Sequence, residues 1–142
     1  MENTLIVRQH FDISTARLFQ LLSQPMYLEQ WFSPSPDIEV NVMEHEFQLG
    51  GKYRLQYTQP DGSVVVVCGE FTEIEPGSRI SFTWTWQKPD VHADIPTLVT
   101  WVLVAKNLGT ELTVLHQKIP DSEFHQRHKL GWLGAMDRLS HI

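Results

Sequence analysis

The chain reads as an α+β fold in which a curved antiparallel sheet of about six or seven strands closes around one long C-terminal helix, with two short helices after the first strand. Three observations predict it. Most of the chain is a run of segments in which apolar and polar residues alternate, separated by Gly, Pro, Asn and Asp. Most of the connections between those segments are too short for parallel crossovers. After Pro120 the apolar period changes from two to 3.6, and the chain ends on a helical pattern.

Leu5 to Phe11 alternates Leu5, Val7, Gln9 and Phe11 against Ile6, Arg8 and His10, the pattern of a strand with one mostly apolar face. Ser14 stands at an N-cap before Ala16, Leu18, Phe19 and Leu22 at helical spacing. Pro25 suits the first turn of a second short helix, where its missing N–H costs nothing, and Ser33-Pro34-Ser35-Pro36 forbids its continuation. From Ile38 the period is two again, with Ile38, Val40 and Val42 on one face, until Gly50-Gly51 introduces a bulge or a sharp bend. Tyr53, Leu55 and Tyr57, then Pro60-Asp61-Gly62, then Val64 to Phe71 form a hairpin. Glu75-Pro76-Gly77-Ser78 turns the chain into Ile80, Phe82, Trp84 and Trp86, which alternate with Ser81, Thr83 and Thr85. A loop from Lys88 to Pro96 precedes a strand of Val99, Trp101 and Leu103, and Asn107 to Thr110 turns into a last strand of Leu112, Val114 and His116. The final helix, from Asp121 to Ile142, is capped by Asp121 or Ser122 and shows one side of Phe124, His128, Trp132, Ala135, Met136, Leu139 and Ile142.

With 142 residues the chain matches one domain, 1–142, large enough to bury roughly 70% of its extended surface without a metal or disulfide staple. Its net charge of −6, with only 11 Lys and Arg scattered singly, argues against a nucleic-acid partner, because phosphate binding needs clustered cations. The single cysteine, Cys68, has no partner for a disulfide or a thiolate zinc site, which fits a reducing compartment. Met1-Glu2-Asn3-Thr4 lacks the positive start of a secretory leader, and no apolar run approaches the roughly 18 residues of a membrane span. A cytoplasmic protein without a membrane span is expected.

Several local signatures carry a resemblance over essentially the whole chain. They are Leu18-Phe19, Trp31 before a Pro-containing loop, Leu49 to Tyr53, Gly69 to Ile74 with Glu75-Pro76, Ile80 to Trp86, Gly109 to Thr113, His116, and Gly131-Trp132 with Leu139. Together they resemble the START-like or SRPBCC superfamily, in the branch named after the activator of Hsp90 ATPase. The resemblance implies a helix-grip fold and a cavity for lipids, polyketides or other apolar small molecules, with an Hsp90-type chaperone as the alternative partner. Gln9 and Ile13 depart from the Arg and Ala common in similar proteins.

The candidate ligand-binding residues are Trp31, Tyr53, Phe82, Trp84, Trp101, His116, Trp132 and Met136, placed where a concave sheet faces the helix. Aromatic walls suit an apolar or planar ligand, with Tyr hydroxyl and indole N–H groups to orient it, although such rings also serve simply as core. His116 is read first as a satisfied structural histidine, with a ligand contact as the alternative. No catalytic residue, metal ligand or cofactor site is assigned. His125 and His128 lack an HExxH arrangement, there is no GxSxG elbow, and Gly50-Gly51 lacks the spacing of a phosphate loop. A cavity enzyme therefore stands only as a third possibility, behind a ligand-binding protein and a co-chaperone.

Overall fold

The computed structural model describes residues 3–142; Met1 and Glu2, the start of the stretch read above for a leader, lie outside them. The elements run β1 (Leu5–Phe11), α1 (Thr15–Ser23), α2 (Pro25–Trp31), β2 (Glu39–His45), β3 (Lys52–Thr58), β4 (Val64–Glu75), β5 (Arg79–Trp86), β6 (Thr97–Lys106), β7 (Gly109–Gln117) and α3 (Ser122–Leu139). Seven strands form one antiparallel sheet in the order β1-β7-β6-β5-β4-β3-β2. Only the connection through α1 and α2 crosses from one edge to the other; every later strand pairs with its predecessor. The sheet and gripped helix follow the alternation and the change of period, and the fold is the helix-grip that the resemblance implies.

Pleating puts alternate residues on the concave face, and the inward set is apolar. On β5 the inward residues are Ile80, Phe82, Trp84 and Trp86, all buried, beside Val99, Trp101 and Leu103 of β6 and Leu112, Val114 and His116 of β7. Two bulges, at Val42/Glu44 and Phe71/Glu73, bend β2 and β4. Gly50-Gly51 forms a bend and not a bulge. Gly50 has φ 80, and a Cβ on Gly51 would lie 1.9 Å from Glu46 O. Glu29 of α2 accepts a hydrogen bond from the Val42 N–H at 2.8 Å, covering a donor on the β2 edge.

Ser14 caps α1 through Oγ to the Arg17 N–H, and Asp121, of the two candidates, caps α3 through Oδ1 to the Phe124 N–H. Phe124, His128, Trp132, Ala135, Met136 and Leu139 of α3 are buried against the sheet. The helix stops at Leu139, three residues short of the expected Ile142, which is half-exposed. Ser140 donates its Oγ–H to the Asp137 carbonyl, and the Ile142 N–H turns back to Leu139 O, so the last residues leave the helical face.

Two tethers position α3. At one end Arg127 makes a bidentate pair with Asp90 at 2.8 and 2.9 Å and lies 4.4 Å from the centre of the Trp86 ring. This draws the β5–β6 loop onto the helix. At the other end Arg138 donates to Ser33 Oγ and, at 2.9 Å, to Gln30 O, holding the Ser33–Pro36 loop close. There Gly134 is required, because a Cβ would lie 2.0 Å from Pro34 O.

Candidate ligand-binding site

Between the two tethers α3 stands off the sheet and leaves a cleft of about 330 Å³. Phe32, Pro34 and Ile38 form one side, Tyr57 and Val65 the outer strands, Trp84 and Trp86 the floor, and Arg127, His128, Gly131 and Trp132 the helix side. Both bulky rings and a gap arise from one cause: β5 presents large side chains on alternate positions, whereas α3 presents Gly131 opposite them. A Cβ on Gly131 would meet nothing within 4 Å.

The rings are held by buried histidines. Trp84 and Trp86 both donate their indole N–H to His128 Nε2, at 3.3 and 3.0 Å, while His128 Nδ1 lies 2.8 Å from Phe124 O. An indole nitrogen only donates and a carbonyl only accepts, so the network assigns the proton to Nδ1 and the lone pair to Nε2. His116 has the opposite tautomer. Trp132 donates to its Nδ1 at 3.1 Å, and its Nε2–H donates to Thr97 Oγ1 at 2.8 Å, since the Thr97 hydroxyl proton goes to Trp84 O. Both imidazoles are neutral. Burial lowers the His128 pKa to about 4 and the His116 pKa well below 6.5, the latter reinforced by His128, whose ring centre is 5.1 Å away.

The lone pairs of both histidines are therefore committed to orienting tryptophans. They are not available as bases. Tyr57 also lines the cleft, its phenol held protonated by burial, and its hydroxyl has no hydrogen-bond partner among the described residues. No group of three or more His, Cys, Asp and Glu among the described residues is arranged to hold a metal ion. What the cleft offers is an oriented, largely apolar aromatic surface with a phenol and the Gln59 amide.

Of the residues expected from the sequence, Trp84 and Trp132 line this cleft. Tyr53, Phe82 and Trp101 line a separate crevice of about 20 Å³ on the side of α1 and α2, beside Leu22 and Leu28. Trp31, His116 and Met136 line neither, with 1%, 0% and 1% exposure. Trp31 donates to Leu21 O at 2.8 Å and stacks on Phe32, and His116 acts from behind through Trp132. Tyr57, Trp86, His128, Phe32 and Arg127 line the cleft without having been among the candidate ligand-binding residues. Three of these were readable: Tyr57 shares the alternation of Tyr53 and Leu55, Trp86 that of Trp84, and His128 the helical face of Trp132. Phe32 and Arg127 reach the site only through a loop and an ion pair, which leave no periodic signal.

The architecture has close counterparts. Protein CV1439 from Chromobacterium violaceum superposes with a TM-score of 0.89 at 24% identity, over 99% of this chain and 96% of its own. The Silicibacter pomeroyi protein SPO3351 gives 0.84 at 23% identity, covering 97% of this chain and 95% of that one. DynU16, a protein in the dynemicin biosynthetic locus, gives 0.80 at 20% identity, matching 99% of this chain with 47% of its own length. At these identities the likeness establishes the fold alone. No curated protein matches the chain significantly. The family model for activator of Hsp90 ATPase homolog 1-like proteins matches residues 12–142, and the chain belongs to that family.

Proposed function

We propose that the protein binds an apolar or aromatic small molecule in the cleft between the sheet and α3. The observation that carries this reading is the standing gap over Trp84, Trp86 and Trp132, three indoles fixed in orientation by neutral histidines. At about 330 Å³ the cleft lies at the small end of the range for drug-sized sites. Its walls give flat ring surfaces for stacking, and Tyr57 supplies a hydroxyl at the edge. A biosynthetic setting for one structural neighbour, DynU16, is consistent with the reading. We take the setting to be the cytoplasm, in keeping with the free thiol of Cys68.

Titration with naphthalene and a panel of apolar and aromatic compounds, followed on the indole N–H resonances, tests it. Saturable movement of Trp84, Trp86 and Trp132 is expected. If no compound moves any of the three, the reading is wrong. The family name supplies the competing partner, an Hsp90-type chaperone; a titration in which such a chaperone broadens the α3 resonances while small molecules leave them unmoved would favour it instead.

A further inference from the structure

Nearly every polar side chain that borders the cleft is committed to a partner within the protein. Trp84 and Trp86 donate to His128, and Trp132 donates to His116. Arg127 donates to both Asp90 oxygens and to His92 Nδ1 at 2.8 Å. Ser33 Oγ donates to Ser35 O at 2.8 Å and accepts from Arg138. Two lining side chains have no hydrogen-bond partner among the described residues, Tyr57 and Gln59. Gln59 lies just beyond β3 and is only half-buried, so water serves its amide.

Tyr57 is different, being 4% exposed. Its neighbours across the sheet are Val40 on β2 and Val65 on β4, and its ring lies 5.8 Å from that of Trp86. None of these side chains offers its hydroxyl a lone pair. The oxygen is nevertheless not sealed in. Among the described residues the fully enclosed unmet atoms are Trp101 Nε1 and His45 Nδ1, which nothing can reach. The Tyr57 oxygen keeps open surface, and the open space that Tyr57 borders is the cleft. A phenylalanine would pack the same ring against Trp86, so packing does not account for the hydroxyl.

The hydroxyl calls for an acceptor. Burial holds the phenol protonated, and a phenol, whose lone pair is drawn into its ring, donates better than it accepts. The acceptors around the cleft are already taken, His128 Nε2 and His116 Nδ1 by indoles and the Asp90 carboxylate by Arg127. An apolar ligand that displaces water from the Tyr57 hydroxyl leaves a donor unmet between apolar walls, which costs free energy. A ligand oxygen that accepts from it avoids that cost.

We propose that Tyr57 is the specificity-determining donor of the cleft, and that the ligand is a flat aromatic molecule bearing a carbonyl oxygen, an aryl ketone or a quinone, which accepts from the Tyr57 hydroxyl while its rings lie on the Trp84 and Trp86 indoles. This rests on the ligand-binding reading above and narrows it to a chemical class.

The near-isosteric pair 2-acetylnaphthalene and 2-isopropylnaphthalene, a carbonyl oxygen against a methyl group, tests it on the intact chain. The ketone should bind about tenfold tighter, the order of one buried hydrogen bond made rather than left unmet. Its infrared carbonyl stretch should fall on binding below its frequency in hexane. Tyr57→Phe removes only the hydroxyl. It should bring the two affinities together and return the bound stretch to its hexane position without lowering Tm, whereas a tyrosine that served the fold alone would lower Tm and leave the affinity ratio unmoved. Equal affinities in the native protein, or a ketone preference that survives Tyr57→Phe, overturn the Tyr57 donor and leave the cleft reading intact. If neither compound moves the Trp84, Trp86 and Trp132 indole resonances, both readings fall. The affinity ratio and the stretch are read in the unmutated chain, so the outcome does not depend on Tyr57→Phe folding.

Discussion

Gly131 and Gly134 lie three residues apart on α3, yet alanine should act on them with opposite sign. At Gly131 an added methyl meets nothing within 4 Å, so the change contributes only the helix preference of Ala over Gly, about 0.8–1 kcal/mol. At Gly134 the methyl would stand 2.0 Å from Pro34 O, and ordinary contact requires a separation more than 1 Å greater. The loop cannot retreat freely, because Arg138 holds it at Ser33 and Gln30. Overpacking of this kind costs typically 1–3 kcal/mol, and added strain on the tether leaves a net loss of about 2 kcal/mol after the helix preference is offset. At about 2.1 cal/mol/K per residue, the 142-residue chain unfolds with an entropy of about 0.3 kcal/mol/K, so 1 kcal/mol moves Tm by about 3 °C. Calorimetry should therefore show Gly131→Ala melting about 2–3 °C above the native protein and Gly134→Ala about 6 °C below it. Gly131→Leu, which fills the cleft from its open side, should also weaken naphthalene binding at least tenfold without lowering Tm. Melting shifts of the same sign for the two alanine variants would refute the claim that α3 stands off the sheet at one glycine and touches the loop at the other.

The buried histidines predict acid sensitivity. His128 has a folded pKa of about 4 against an ordinary 6.5, so the unfolded chain binds protons first; stability is full above pH 6.5 and falls as pH drops towards 4. The loss from His128 alone is roughly 2–3 kcal/mol by pH 4.5, or several degrees in Tm, and His116 and His45 shift in the same direction. A Tm that stays level between pH 7.5 and 4.5 would contradict the neutral network. Arg127→Ala should leave the Asp90 carboxylate, 5% exposed, without its counterion, at a cost of about 2 kcal/mol once the partial exposure of Arg127 is allowed for. Hydrogen exchange checks it: the Asp94 N–H, which now donates to Trp86 O at 2.9 Å, should exchange faster as the β5–β6 loop loosens, while β6–β7 amides stay protected.

The alternation of Ile80, Phe82, Trp84 and Trp86 and the change of period after Pro120 determined the strands, the gripped helix and the residues that face inward, because pleat and helical pitch are local and write themselves into sequence. The caps at Ser14 and Asp121 were local for the same reason. Which inward residues meet a void was decided only in three dimensions. Trp31, His116 and Met136 share the apolar pattern of Trp84 and Trp132, but the gap depends on how far α3 stands from the sheet, and that distance is set by Arg127 on Asp90 and Arg138 on the Ser33 loop, contacts 37 and 105 residues apart. The unmet hydroxyl of Tyr57 is likewise invisible along the chain, since a missing partner is a property of the packed surroundings and not of the residue.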